Sequence, residues 1–437
     1  MQTIFEMLEG KNQPIWVPDF GLPKVVVVGA GFAGISFIQK LRNKPFQVIL
    51  LDKNNYHQFQ PLLYQVATSG LEPDSITFPV RKLFKGQKNF VFRVAEVDRI
   101  DSGTKRIYTN VGTLDFDYLV LATGSDTNFY GLDEVRKNGI GLKSITDSLN
   151  IRSLMLQNLE KAALSGDEAE RSALTSIVIV GGGPAGVEMA GAMAEFRKFV
   201  LPADYPDLKG ELMKVYLVEA SSKLLGAMSE KSSEDTLKAL KALEVEVLLD
   251  TGVKAYDGET VDLGDGKEIK THTLVWTAGV SGVYPNGLDE TANAHGKRLK
   301  VNEFSQVNGY EHIFAIGDVG SMATNEYPHG HPMVAPAAIQ QGELLAENLH
   351  LKEAEKPMKH FKYRDKGSLA TIGKKRAVAD FGKLHYRGFF AWIIWSTVHL
   401  LSIIGFRNKL MVGLNWLISY LTQDKGNRLI IRRYTKG

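Results

Sequence analysis

Two stretches of the chain, about 150 residues apart, share one layout, and no other feature restricts the fold as tightly. In the first, Lys24-Val-Val-Val-Val28 runs into Gly29-Ala30-Gly31-Phe32-Ala33-Gly34. In the second, Ser176-Ile-Val-Ile-Val180 runs into Gly181-Gly182-Gly183-Pro184-Ala185-Gly186. An unbroken β-branched run with no polar alternation suits a strand buried on both faces of a parallel sheet. The glycines let the backbone turn sharply and approach a pyrophosphate seated on the N-terminus of the next helix. The first helix is expected in ISFIQKLRNK, with Ile35, Ile38 and Leu41 on one face, and the second from Val187 to Phe199.

Each copy continues alike. An apolar strand ends in an acid, Gln47 to Leu51 before Asp52 and Lys214 to Val218 before Glu219, where a ribose 2′-hydroxyl needs an acceptor. Each unit then closes on a buried strand and a small-residue turn, Tyr118 to Gly124 and Thr273 to Gly279. In the second copy the acid lies farther from its glycines because of a surface insertion around Pro202-Ala-Asp-Tyr-Pro206. Two copies with both acids and both turns predict two dinucleotide sites in one α/β chain.

The 437 residues suffice for two or three domains, and none is a cysteine. That excludes disulfides, thiolate metal sites and any mechanism that needs a redox-active thiol. The ten histidines are scattered and no metal constellation emerges; His329 and His331 form a lone HxH, read as a surface turn. MQTIFEMLEGK lacks a basic n-region followed by an apolar h-region, so no secretory signal is expected.

Charge is uneven. From Lys383 onward nine Lys/Arg face the single acid Asp424, a tail of +8 that leaves −5 for the rest of a chain whose formal charge is +3. This basic tail also carries long apolar runs, which points to an anionic membrane surface rather than to nucleic acid. Phe389 to Phe406 is eighteen residues without Lys, Arg, Asp or Glu, the lower limit of a span, and is interrupted by Ser396, Thr397, His399 and Ser402. Leu410, Leu414, Leu417 and Leu421 share one face of the next stretch. Trp392, Trp395, Trp416 and Tyr420 suit an interfacial belt, and Arg407, Lys409, Arg428, Arg432 and Arg433 can meet lipid phosphates. The favoured reading is two helices lying in the interface of one leaflet. A true span and burial against the body or a second subunit are the alternatives.

GAGFAG at 29–34, LATG at 121–124, GGGPAGVE at 181–188 and AIGD at 315–318 resemble the flavoproteins with two dinucleotide-binding domains of the glutathione reductase type. Members of that group that reduce disulfides, sulfide or peroxide rely on cysteines, which this chain lacks. The sequence is more similar to the type II NADH:quinone oxidoreductases, single-subunit NADH dehydrogenases that do not pump protons. That resemblance covers nearly the whole chain from about residue 23. It is carried by NYHQFQPLLYQVATSGLEP (55–73), APAAIQQG (335–342), SLATIGKKRAVADFG (368–382) and WSTVHLLSIIGFRNKLMVGLNWLISYLT (395–422).

The resemblance implies non-covalent FAD in the first unit and NADH in the second. For FAD it implies Gly29, Gly31, Phe32, Ala33 and Gly34 at the pyrophosphate and Asp52 and Lys53 at the ribose. Gln60 and Leu62 fall near the flavin, and Val94 or Ala95 offers backbone to the adenine. Ala122, Thr123, Gly124, Gly317, Asp318, Ala337 and Ala338 complete this set. For NADH it implies Gly181, Gly183, Pro184, Ala185 and Gly186 at the pyrophosphate and Glu219 at the 2′-hydroxyl, where a carboxylate repels a 2′-phosphate. Thr277, Ala278 and Gly279 form a wall against the nicotinamide. Glu188, on the first helical turn, faces the flavin–nicotinamide junction as proton source or substrate guide. Gln340 and Gln341 meet the quinone, and Lys375 or its neighbour Lys374 lies close to the flavin.

The fold class is thus α/β, two Rossmann-like domains plus a C-terminal amphipathic helical membrane-anchoring region. The expected divisions are a loosely packed leader (1–22), the FAD-binding domain (23–130 and 285–385), the NADH-binding domain (131–284) and membrane-binding helices (386–437). The implied protein is a homodimer on the cytoplasmic face of a bacterial membrane, feeding a respiratory chain through menaquinone or ubiquinone. A soluble NAD(P)H-dependent reductase of a ferredoxin-like carrier and an NADH-sensing flavoprotein are the competing readings.

Overall fold

The computed structural model describes residues 13–208, 210–422 and 425–435, so residues 1–12 of the expected leader, and Asp424, lie outside the described residues. The chain forms two compact units from interleaved segments. Residues 13–57, 78–126 and 280–366 build the first, and 58–77, 127–279 and 367–435 the second.

The first unit is organised on a five-stranded parallel sheet in the spatial order Ile313–Ala315, Tyr118–Leu121, Lys24–Val28, Gln47–Asp52, Phe90–Val94. The valine run takes the centre, with Val26 opposite both Ile49 and Leu119. Val25, Val26 and Val27 are wholly buried, as a central parallel strand requires. The helix Phe32–Lys40 follows and buries Ile35, Phe37 and Ile38. The helix Ala335–Glu353 crosses it closely: a Cβ on Gly342 would stand 2.4 Å from the carbonyl oxygen of Ala33. The described end of the leader is not loose. Ile15 donates its N–H to Thr113 at 2.7 Å, and Ile15 and Val17 pack on the core.

The second unit repeats the arrangement. Its parallel sheet runs Ile140–Gly141, Thr273–Trp276, Ile177–Val180, Val215–Val218, Glu246–Leu248, again with the glycine-leading strand in the middle. The helix Pro184–Glu195 is buried from Gly186 onward and ends in a π-turn over Phe196–Val200 rather than continuing to Phe199 as α-helix. Residues 58–77 and 367–385, expected in the flavin half, belong to this unit. The reason is packing: the helix Leu63–Ala67 and the strand Ser368–Thr371 both lie against Pro184–Glu195.

Two helices, Gly388–Ser402 and Phe406–Thr422, form the tail. The eighteen-residue apolar run is broken between them, with Gly405 at φ +90. Fifteen residues reach about 22 Å, short of a bilayer core of about 30 Å. Among the described residues no helix is long and apolar enough to cross a membrane.

Candidate active site

In the first unit the glycine loop is shaped by what surrounds each Cα. Gly29 has φ +108, and a Cβ there would stand 2.3 Å from the carbonyl oxygen of Ala122. A Cβ on Gly34 would stand 2.1 Å from the carbonyl oxygen of Gly29. Gly31 differs, because the nearest atom to a Cβ on it is 4.0 Å away. It caps the helix Phe32–Lys40 with no side-chain cap, the arrangement that receives a phosphate. Asp52 accepts the N–H of Ala30 at 2.6 Å and of Asn54 at 2.7 Å. Burial pushes its carboxyl up, against these two donors. Lys53 is exposed. Of the two adenine candidates, Ala95 already gives its N–H to the carbonyl of Asp52 at 3.0 Å, and Val94 ends its strand opposite Asp52.

The far wall of this cradle is braced from several directions. Thr123 donates its hydroxyl to Val283, and the carbonyl of Gly124 (φ +73) accepts the N–H of Val283. Gly317 turns at φ +72 beside the side chains of Ala33 and Ala338; Ala337 and Ala338 are both buried. Ser125 donates to Asp318 at 2.5 Å. Arg298, buried, gives its guanidinium N–H groups to the carbonyls of Asp318 (2.9 Å) and Gly320. Sequence reasoning missed Arg298, since a buried arginine that serves main-chain carbonyls leaves no local pattern.

The expected quinone amides are occupied. Gln341 is buried and its Oε1 accepts the N–H of Gly317 at 2.7 Å, which ties it to the Asp318 turn. Gln340 pairs both ends of its amide with the backbone of Arg364, at 3.0 Å each way.

The second cradle repeats the plan of the first. Gly181 has φ +109 and a Cβ on it would meet Ala278 at 2.7 Å; one on Gly186 would stand 1.9 Å from the carbonyl oxygen of Gly181. A Cβ on Gly183 would meet nothing within 4 Å, and the helix it caps begins at Pro184-Ala185 with no side-chain cap. Glu219 accepts N–H groups from Gly182 at 2.5 Å and from Ser221 at 2.7 Å. Lys223 pairs with Glu230 at 3.3 Å. Thr277 donates its hydroxyl to Val180, next to Ala278. Gly279, at φ +122, is covered by the hydroxyl of Tyr130, 2.2 Å from where a Cβ would stand. Tyr130 was another omission.

One face of the helix Pro184–Glu195 carries Glu188, Gly191 and Glu195 and meets the hairpin after Ser368–Thr371. A Cβ on Gly191 would stand 2.7 Å from the nitrogen of Gly373. Glu195 accepts the N–H of Lys374. Glu188 is buried, and its Oε1 accepts from the N–H of Thr371 at 3.3 Å and from Nε1 of Trp395 at 3.1 Å. Burial outweighs both donors and pushes this carboxyl up to about 8. Neither lysine of the hairpin is a bare cation: Lys374 donates to the carbonyl of Ser419, and Lys375 lies 4.3 Å over the Tyr420 ring.

Packing corrects the expected aromatic belt at two of its four members. Trp395 and Trp416 point inward: Trp395 is 2% exposed, and Trp416 donates to Gln65 at 2.8 Å. Gln60 is exposed on the short 3-10 turn that precedes Leu63–Ala67, whereas Leu62 is buried. Arg407 pairs with Asp74, Arg428 with Asp204, and Arg432 with Asn150, all acceptors within the unit. Lys409 donates to the carbonyl of Leu401. The leucine stripe is open, with Leu410, Leu414, Leu417 and Leu421 between 43% and 72% exposed, alongside Phe389, Phe390, Leu401 and Phe406. His331 is not a surface turn; its ring is buried among Tyr327, Phe361 and Tyr363.

The glycine cradles fit dinucleotides, since the only loop positions that leave room for a further atom, Gly31 and Gly183, are those where a pyrophosphate approaches. Comparison with known proteins agrees. A family model described as pyridine nucleotide-disulphide oxidoreductase matches residues 23–342, and one described as the NDH2 C-terminal domain matches 366–423. The type II NADH:quinone oxidoreductase NdhA of Mycobacterium tuberculosis is 33% identical over 427 residues, 94% of this chain and 90% of that protein. The external alternative NADH-ubiquinone oxidoreductase of Yarrowia lipolytica mitochondria is 30% identical, covering 90% of this chain and 78% of that protein. The solved structure of NDH2 from Plasmodium falciparum in complex with NADH shares the fold, with a TM-score of 0.85 at 22% identity over 94% of this chain and all of that one. Similarity of this extent, carried through the tail as well as the two cradles, makes the chain a member of the type II NADH:quinone oxidoreductase family.

Proposed function

We propose that the protein oxidises NADH and reduces a membrane quinone through non-covalent FAD, without pumping protons, as part of a respiratory chain. The observation that carries this is the duplicated cradle, one for each dinucleotide, in a chain without cysteine. FAD held there would supply hydride acceptance from NADH and two-electron delivery to a quinone, which would also need two protons.

The chain's own work is to hold and orient. Gly29, Gly31, Gly34 and the helix beginning at Phe32 seat the FAD pyrophosphate. Asp52 stands at its ribose, and the turn 317–318, braced by Gln341 and Arg298, at the remainder. Gly181, Gly183 and Gly186 seat NADH, with Glu219 positioned to favour a free 2′-hydroxyl. Glu188, protonated at neutral pH because it is buried, holds a proton for the quinone. Gln341 and Gln340 act by shaping the 317 turn and the 364 backbone.

The exposed apolar faces of the two tail helices rest on a bilayer surface, where quinone is dissolved. The homodimer is carried by the family resemblance, and the cytoplasmic face of a bacterial plasma membrane by likeness to the mycobacterial relative, at 33% identity against 30% for the mitochondrial one.

The test is an anaerobic titration of the purified yellow protein. NADH should bleach the flavin band where NADPH hardly does, and a menaquinone or ubiquinone analogue should restore it within the turnover time. Bleaching that quinone does not reverse would overturn this reading in favour of a protein carrier or an NADH sensor.

A further inference from the structure

Trp395 belongs by sequence to the stretch expected to face lipid, yet it is among the largest wholly buried side chains of the protein. Packing alone does not ask for a tryptophan there. A phenylalanine would fill much of the same volume without an N–H to satisfy, and a buried indole N–H must find an acceptor. The acceptor it finds is Oε1 of Glu188, at 3.1 Å.

The indole is held tightly in that pose. The imidazole of His399, one turn on, stacks on it at 4.2 Å with 24° between planes, and its Nδ1 lies 2.8 Å from the carbonyl of Trp395. Burial keeps that imidazole neutral, so Nδ1 carries its proton and donates it to the carbonyl. The second tail helix brings Trp416 to 5.4 Å on the same indole, and Trp416 is itself fixed by Gln65, whose amide donates to the hydroxyl of Tyr64. An indole N–H is a donor only, as is the N–H of Thr371, and both converge on Oε1. The proton of the neutral Glu188 therefore resides on Oε2.

We propose that Trp395 is a positioning residue for proton delivery at Glu188: its indole N–H, presented by the tail, holds Oε1, confines the transferable proton to Oε2 and makes its release depend on how the tail is seated. This rests on the proton-supplying role proposed for Glu188. The donor favours the carboxylate, so losing it would leave Glu188 harder to deprotonate. The ionisable groups packed around this site are Tyr64 from the helix Leu63–Ala67, Glu195 two turns along its own helix, Lys374 of the hairpin, His399 of the tail and Lys425 beyond it. Lys374 and Lys425 act on Glu195, and Lys425 also donates to the carbonyl of Ala192.

The experiment is the pH profile of quinone reduction by the flavin-loaded enzyme and its Trp395→Phe, Glu188→Gln and double variants. Wild type should lose activity on the alkaline side as Glu188 ionises, and Glu188→Gln should remove that limb. Trp395→Phe, which keeps the ring stack, should move the limb about half to one pH unit upward, with unchanged binding to anionic vesicles. The double variant should match Glu188→Gln. A limb that Glu188→Gln removes but Trp395→Phe leaves in place overturns the inference about Trp395. A limb that survives Glu188→Gln overturns the role of Glu188 beneath it. Should Trp395→Phe fail to fold, the indole 15N–H resonance of Trp395 in wild type should titrate in step with Glu188 and stay fixed in Glu188→Gln. An indole resonance that does not move with pH in wild type also overturns the inference.

Discussion

The N–H of Gly182 donates to Oε2 of Glu219 at 2.5 Å, and the N–H of Ala30 does the same to Asp52 at 2.6 Å. In each unit the acid is thus pinned to its glycine loop. A carboxylate fixed there repels a 2′-phosphate. Glu219→Gln keeps an acceptor for Gly182 and removes the charge. The ratio of kcat/KM for NADPH to that for NADH should rise about tenfold, equivalent to ~1.4 kcal/mol. An unchanged ratio would mean that discrimination lies elsewhere.

Gly183 and Gly186 are three residues apart and should respond oppositely to the same change. A Cβ at Gly183 meets no protein atom within 4 Å, so Gly183→Ala should melt within roughly 2 °C of wild type while its KM for NADH climbs. At Gly186 the new carbon would stand 1.9 Å from a carbonyl oxygen, and Gly186→Ala should lose about 3 kcal/mol of stability or fail to accumulate. Calorimetry with NADH titration separates the two, and equal melting losses would refute the distinction.

Gln341 is expected to matter for FAD. Gln341→Leu leaves the N–H of Gly317 without its acceptor, a loss of about 1–3 kcal/mol at the turn that carries Asp318. The flavin-to-protein ratio after gel filtration should fall. If flavin is retained and only the KM for quinone changes, the amide serves the quinone after all.

Glu188 also writes a pH dependence into stability. Its folded pKa, about 8, lies above the ordinary 4.5, so the contribution is complete below 4.5 and is lost as pH rises through 8. Relative to Glu188→Gln, wild type should lose on the order of 4 kcal/mol between pH 5 and pH 9, seen as diverging Tm curves. Parallel curves would show that Glu188 ionises freely in the fold.

The open leucine stripe offers a change confined to the surface. Leu417→Glu should weaken partitioning onto anionic vesicles roughly tenfold or more while leaving flavin reduction by NADH untouched. Vesicle flotation decides it, and unaltered flotation would place the lipid contact on other residues.

What could be read in advance was whatever leaves a local pattern. Valine runs, glycine spacing and the terminal acids Asp52 and Glu219 are such patterns, and both sheets follow from them. Long-range pairings were illegible. Nothing near Trp395 announces Glu188, nothing near Arg298 announces the carbonyls at 318 and 320, and Gln341 looks like any helix residue until Gly317 is placed beside it. The break in the tail did have a signal, Gly405, which the unbroken lack of charge from Phe389 to Phe406 obscured. The aromatic belt was misjudged for a related reason, since composition gives the hydrophobicity of a helix but not which side of it meets the protein.

The edge strand Ile313–Ala315 hydrogen-bonds to Tyr118–Leu121, and between them in the chain lies the entire sheet of the second unit. During synthesis the second sheet is complete before the first can receive its last strand or the turn at Asp318. The flavin cradle is therefore the later of the two to close. The second unit in turn waits for its own last segment, 367–435, so each half is left open by a piece of chain that leaves the ribosome late, and a chain cut short before residue 313 would carry the Tyr118–Leu121 edge unpaired and open to proteases.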